Sequence, residues 1–128
     1  MHKLSDHITT RDIECHGERC CGHSYPIDYR LINALESLFV RVEKRVEMSN
    51  GILLITSGFR CRAFNKAIGS KDNSQHTIGR AVDLRSLHLT PLQIRDEALQ
   101  ITAFALGGIG VYETYIHLDV RTKQPMRW

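Results

Sequence analysis

Two short stretches carry residue types that can do chemistry together. The first is Ser74-Gln75-His76-Thr77-Ile78-Gly79-Arg80-Ala81-Val82-Asp83, with its histidine and aspartate seven residues apart. The second is Tyr115-Ile116-His117-Leu118-Asp119, which adds another of each near the C-terminus. His76, Asp83 and His117 supply two imidazoles and one carboxylate. Hydrolytic zinc sites commonly take three such protein ligands and keep one position open to water. An ion held there lowers the pKa of its water towards about 7 and polarises a bound carbonyl. A carboxylate must then take the water's proton and pass it to the leaving amine, work typically worth ~10²–10⁴-fold. Asp119 shares a strand face with His117 and is the first choice for that base. Glu113, further back on the same face, is the second. Arg60 is a candidate clamp for a substrate carboxylate or an oxyanion. Ser74 and Gln75 are candidates for hydrogen bonds to the substrate backbone, and Tyr115 for the pocket wall.

Each residue alone has an ordinary explanation. A loop histidine is usually solvated, a strand-end aspartate is usually a cap, and a surface Arg60 ion pair contributes only about 0–1 kcal/mol. His2, His7, His16, His23 and His88 are read in that plain way. The argument rests on the combination.

These side chains need elements to position them. Leu31, Ile32, Leu35, Leu38, Phe39, Val42 and Val46 recur at steps of three and four. That spacing predicts a helix from an Asp28 N-cap to about residue 47, ended by Ser49-Asn50-Gly51. Residues 52–56 read as a buried strand that delivers Ser57-Gly58-Phe59-Arg60 at its end. Residues 61–68 read as a short helix with Phe64, Ala67 and Ile68 inward, followed by a polar loop. Residues 81–85 are predicted as a strand, with Asp83 facing away from Val82 and Leu84. Thr90-Pro91 opens a helix expected to run to about Leu106 and to stop at Gly107-Gly108. Residues 109–112 and 114–120 predict two strands or one bent strand. In the second, Ile116, Leu118 and Val120 share one face, and Glu113, Tyr115, His117 and Asp119 the other.

The chain's 128 residues, 42% hydrophobic and 24% charged, fit one domain. Residues 1–27 are expected as an irregular Cys-rich arm, with a helical turn near residue 10, wrapped on a body of residues 28–128. No run of about 18 apolar residues predicts a membrane span. The N-terminus lacks the apolar stretch of a Sec signal, so action in the cytoplasm, or exit by lysis or another route, is expected. The net charge of +3 is scattered. It makes no basic stripe for nucleic acid and only weakly favours anionic partners such as a bacterial wall. A monomer is expected. Cys15, Cys20, Cys21 and Cys61 are open to three readings: plain thiols, a disulfide, or a structural metal knot. Adjacent Cys20 and Cys21 match no standard zinc spacing.

The pattern Ser74-x-His76-x-x-Gly79-x-Ala81-x-Asp83, followed by His117-x-Asp119, resembles the zinc-dependent D-alanyl-D-alanine peptidases of the M15 family. Its small phage and prophage-type branch is the nearest likeness. Leu4-Ser5, the run Ile55-Thr56-Ser57-Gly58-Phe59-Arg60-Cys61 with Asn65, Gly108-Ile109-Gly110-Val111-Tyr112 and the terminal Arg127-Trp128 extend the resemblance over most of the chain. The resemblance implies an α+β fold with a small antiparallel sheet and helices mainly on one side, of the hedgehog and DD-peptidase type. It implies one zinc ion on His76, Asp83 and His117, Arg60 on the substrate, and hydrolysis of peptidoglycan stem peptides, with action on the cell wall in the periplasm or by phage delivery. Carboxypeptidase and endopeptidase action both remain open. Several branches place the catalytic carboxylate three residues before the last zinc histidine, and Thr114 stands there in this chain. Hedgehog-type domains keep the zinc while acting as binding modules, so a zinc-stabilised module without turnover is the alternative function. A nucleic-acid or redox role led by the Cys-rich arm is a distant third.

Overall fold

A computed structural model describes all 128 residues. In chain order the elements are α1 (Thr10–Ile13), α2 (Tyr29–Val46), β1 (Leu54–Ser57), α3 (Arg62–Ala67), a 3₁₀ turn (Gln75–Ile78), β2 (Ala81–Arg85), α4 (Pro91–Ala98), α5 (Thr102–Ala105), β3 (Gly108–Val111), β4 (Ile116–Asp119) and β5 (Met126–Arg127). Asp28 caps α2 by accepting from the Arg30 N–H at 2.9 Å. The stripe of Leu31, Ile32, Leu35, Leu38, Phe39 and Val42 is buried as its spacing predicts. The helix closes on Glu47 in the left-handed region, ahead of Asn50 and Gly51.

The five strands run β1-β2-β4-β3-β5 across one sheet. Every pair is antiparallel except the last, β3 with β5. The fold is α+β as expected, with a mixed sheet. Ile55, Val82, Leu84, Ile109, Ile116 and Leu118 join α2, Ile94 and Ala98 of α4 and Phe104 of α5 in one core. Strand alternation therefore leaves the other face of the sheet for polar side chains.

Four expected details differ. β1 is an edge strand with Leu54 half exposed, because only one face of it meets the core. The helix after Thr90 breaks in two at residues 99–101, where the Gln100 and Ile101 N–H groups bond three residues back, and Phe104 turns into the core. In α3 the inward residue is Asn65, while Ala67 and Ile68 face solvent. Its side chain is occupied by the Lys71 carbonyl at 2.8 Å, so α3 braces a loop instead of filling the core. His7 is not a plain solvated residue. It stacks on Phe39 and bridges Glu36 and Glu43 at 2.6 and 2.7 Å. With Ile8 and Ile13 fully buried in the same core, the arm is bound along the body.

Candidate metal centre

Backbone register assembles the site. Ser57 lies across from Asp83, Asp83 across from His117, and His117 across from Gly110, so one row crosses β1, β2, β4 and β3 on the polar face. His76 reaches the same point from the 3₁₀ turn, buried at 2% exposure. That turn needs Gly79. Its φ of +70° is in the left-handed region, and a Cβ there would run into the backbone of Pro26 and Ile27.

Hydrogen bonds fix the tautomers. His76 Nδ1–H donates to the Gly58 carbonyl at 2.7 Å, which leaves a lone pair on Nε2. His117 Nε2–H donates to Asp119 Oδ2 at 2.7 Å, which leaves a lone pair on Nδ1. Both lone pairs lie 3.2 Å from Asp83 Oδ1. Three acceptors so close together, with no proton between them, repel one another until a cation sits among them. A tetrahedral ion with bonds of about 2.0–2.1 Å has ligand–ligand edges of about 3.3 Å, so the spacing and the donor set fit a metal ion. Arg60 donates to the other oxygen of Asp83 at 3.0 Å and leaves Oδ1 as a single-oxygen ligand. Burial opposes ionisation of Asp83; without an ion, His117 and His76 in their protonated form would hydrogen-bond to it and hold the carboxyl well below its usual range.

Asp119 and Glu113, the candidate bases, do not line the cleft above these three side chains. Asp119 is fully buried behind the His117 ring. It accepts from His117, from the Gly108 N–H at 2.8 Å, and from the backbone, Nε and Nη2 of Arg121 at 3.1, 2.8 and 2.6 Å. A carboxylate offers about four lone-pair positions, so none is left to take a proton. Burial pushes its pKa up, but Arg121 and His117 win and hold it well below the usual range, which makes it a weak base. Glu113 is exposed in the β3–β4 turn and does not line the cleft. It lies in the turn closed by the Tyr112 N–H to Tyr115 carbonyl bond. Arg60 lines the cleft, but its guanidinium is taken up by Asp83, Ser57 at 3.1 Å, Ser70 at 3.4 Å and Asn65 at 3.5 Å.

Above these three side chains lies a cleft of about 750 Å³, open to solvent. Ser74, Gln75 and Tyr115 line it. Gln75 Oε1 is buried without a hydrogen-bond partner. Ser74 Oγ accepts from the His76 N–H at 3.3 Å. Sequence reasoning missed the far wall. Arg121 lies under the Trp128 ring, which sits 5.0 Å from the His117 ring and donates to the Tyr112 hydroxyl at 2.8 Å. A signal for Arg121 existed, because the alternation that puts His117 and Asp119 on one face also puts residue 121 there.

An α+β fold that presents two histidines and an aspartate at the floor of an open cleft is built like a mononuclear metal-dependent hydrolase. Residues 7–119 match the family model described as Peptidase M15. The chain belongs to that family, a peptidase family, and it carries a His/Asp/His group able to hold a metal ion. A comparison with curated proteins finds no match. No helix is long and apolar enough to cross a membrane.

Proposed function

We infer that this protein is a zinc-dependent peptidase that hydrolyses peptide bonds in peptidoglycan stem peptides, as a D-Ala-D-Ala carboxypeptidase or an endopeptidase. The observation that carries this reading is the convergence of three lone-pair atoms at the floor of a cleft in an M15 family member. Two imidazoles and a carboxylate suit zinc. His76, Asp83 and His117 would hold the ion, which when bound would supply an acidified water and a Lewis-acid contact for the scissile carbonyl.

The chain's own groups position the rest. Gly58 and Asp119 hold the two rings in their ligating tautomers, and Arg60 turns one oxygen of Asp83 forward. Arg60, Lys71 and Arg121 line the cleft and favour an anionic peptide, such as a stem peptide with free carboxylates. Arg60 is tied to Asp83 and Arg121 to Asp119, so Lys71 is the cation left to meet a substrate carboxylate. Gln75 and Ser74 line the cleft and offer it polar side chains for the substrate backbone. Burial and then the Asp83 charge raise the pKa of Tyr115, so its phenol stays protonated and donates into the cleft.

The second reading is a zinc-stabilised cell-wall-binding module without turnover. One observation favours it: Asp83, itself a candidate ligand, is the only residue with a carboxylate side chain that lines the cleft. Incubating the purified protein with muropeptides, with and without chelator, separates the two. The peptidase reading expects product masses shortened at a D-amino acid junction, lost with chelator and restored by zinc. Retention of intact muropeptide with no new mass supports the module.

A further inference from the structure

The Cys-rich arm is held unlike the rest of the chain. Residues 16–23 take part in no backbone–backbone hydrogen bond. What converges there is sulfur. Cys15, Cys20, Cys21 and Cys61 bring their Sγ atoms within 4.8 Å of one another. Cys15 to Cys61 is 3.8 Å, Cys20 to Cys21 3.9 Å and Cys15 to Cys20 4.0 Å. A tetrahedral zinc ion with Zn–S bonds of about 2.3 Å has sulfur–sulfur edges of about 3.8 Å. The adjacent pair, awkward by spacing alone, is accommodated by the backbone on either side. Arg19, Gly22 and His23 have φ of +55°, +68° and +57°, and these turns direct both sulfurs to one point. Two backbone donors face the cluster from outside, Phe64 N–H on Cys61 and Ser24 N–H on Cys21, each at 3.4 Å. Such donors suit thiolates.

We propose that Cys15, Cys20, Cys21 and Cys61 form a second, structural metal site that holds one zinc ion as a tetrathiolate. All four positions of the ion are filled by the chain, so the site is closed to substrate. Binding releases the thiol protons to solvent. The ion ties the arm to Cys61, next to Arg60 and three residues from Gly58, the groups that hold Asp83 and His76. The knot therefore braces the cleft while standing apart from it, and it does not depend on the peptidase reading.

The test uses the full chain purified under reducing, anaerobic conditions. Native mass spectrometry is expected to count two zinc ions on the wild type, one fewer on Cys21→Ser, and a retained cysteine-bound ion on His76→Ala. The wild type loaded with Co²⁺ is expected to show sulfur-to-cobalt charge-transfer absorption, which the His/Asp/His site cannot produce because it has no sulfur. This readout does not depend on any variant folding. Cobalt-loaded wild type without thiolate absorption overturns the proposal. So does a chain purified under those reducing, anaerobic conditions whose four thiols alkylate freely in the presence of zinc. Loss of zinc from His76→Ala bears on the peptidase site alone, so the two readings fail separately.

Discussion

At the residue scale, the three side chains that converge were legible and the groups that surround them were not. His76, Asp83 and His117 stand out because few other roles need those types at that spacing. The role of Asp119 depends on which way a carboxylate turns, and that is decided by Arg121 and the Gly108 N–H, neither of which a strand-face pattern identifies. The role we propose for Asp119 is to position His117 through the hydrogen bond to its Nε2–H. Asp119→Asn is therefore expected to weaken zinc binding by about 10–100-fold, the range seen when an outer partner of a metal-bound histidine is lost. Chelator competition measures it. An unchanged zinc affinity with abolished hydrolysis would return Asp119 to the role of base. Lys71→Ala is expected to raise KM for an anionic stem peptide and leave kcat little changed, as loss of uniform binding does. Steady-state kinetics on a defined muropeptide checks it, and a fall in kcat alone would contradict the assignment.

At the element scale, the sequence marked the long features and missed the short ones. The stripe of α2 and the alternation of β4 survive because each repeats enough to be read. β5 spans two residues, too few for a pattern, yet it places Trp128 over the site. The break between α4 and α5 was hidden because Ile101 and Ala105 continue a helical spacing across it. The pairing of Gly108 with Asp119 gives an element-level prediction. A Cβ at Gly108 would meet the Asp119 carboxylate. Gly108→Ala is expected to destabilise the fold by about 1–3 kcal/mol, as overpacking does, and to loosen zinc as Asp119 is displaced. Urea unfolding with the zinc-loaded protein measures the first effect; a midpoint equal to the wild type's contradicts it.

At the scale of the whole molecule, the arm is part of the body. Ile8 and Ile13 lie in the main core, the Ile13 carbonyl accepts from the Phe59 N–H at 2.8 Å, and Gly58 beside it holds His76. Composition described this arm as irregular, which is true of its backbone but silent on two isoleucines that plug a distant core. Ile13→Ala is expected to cost about 2–5 kcal/mol, and a loss well below that by urea unfolding would detach the arm from the core. The His7 clasp adds a pH dependence. Burial lowers the pKa of His7, but Glu36 and Glu43 raise it above its ordinary 6.5. Burial raises that of Glu36, but Ser5 and His7 hold it below its ordinary 4.5. The His7 contribution is complete below pH 6.5 and fades as pH climbs through the raised folded value. That of Glu36 is present above pH 4.5 and fades as pH falls through the lowered folded value. His7→Gln is expected to flatten the decline in stability above pH 6.5 relative to wild type, which urea midpoints across that range report.

The most direct test of the account is anomalous scattering at the zinc edge from crystals of the zinc-loaded protein. The account predicts a peak about 2.0–2.1 Å from His76 Nε2, Asp83 Oδ1 and His117 Nδ1, with its remaining side facing the cleft. A map with no peak among those three atoms, or with an ion bound through His117 Nε2 in place of Nδ1, would contradict it.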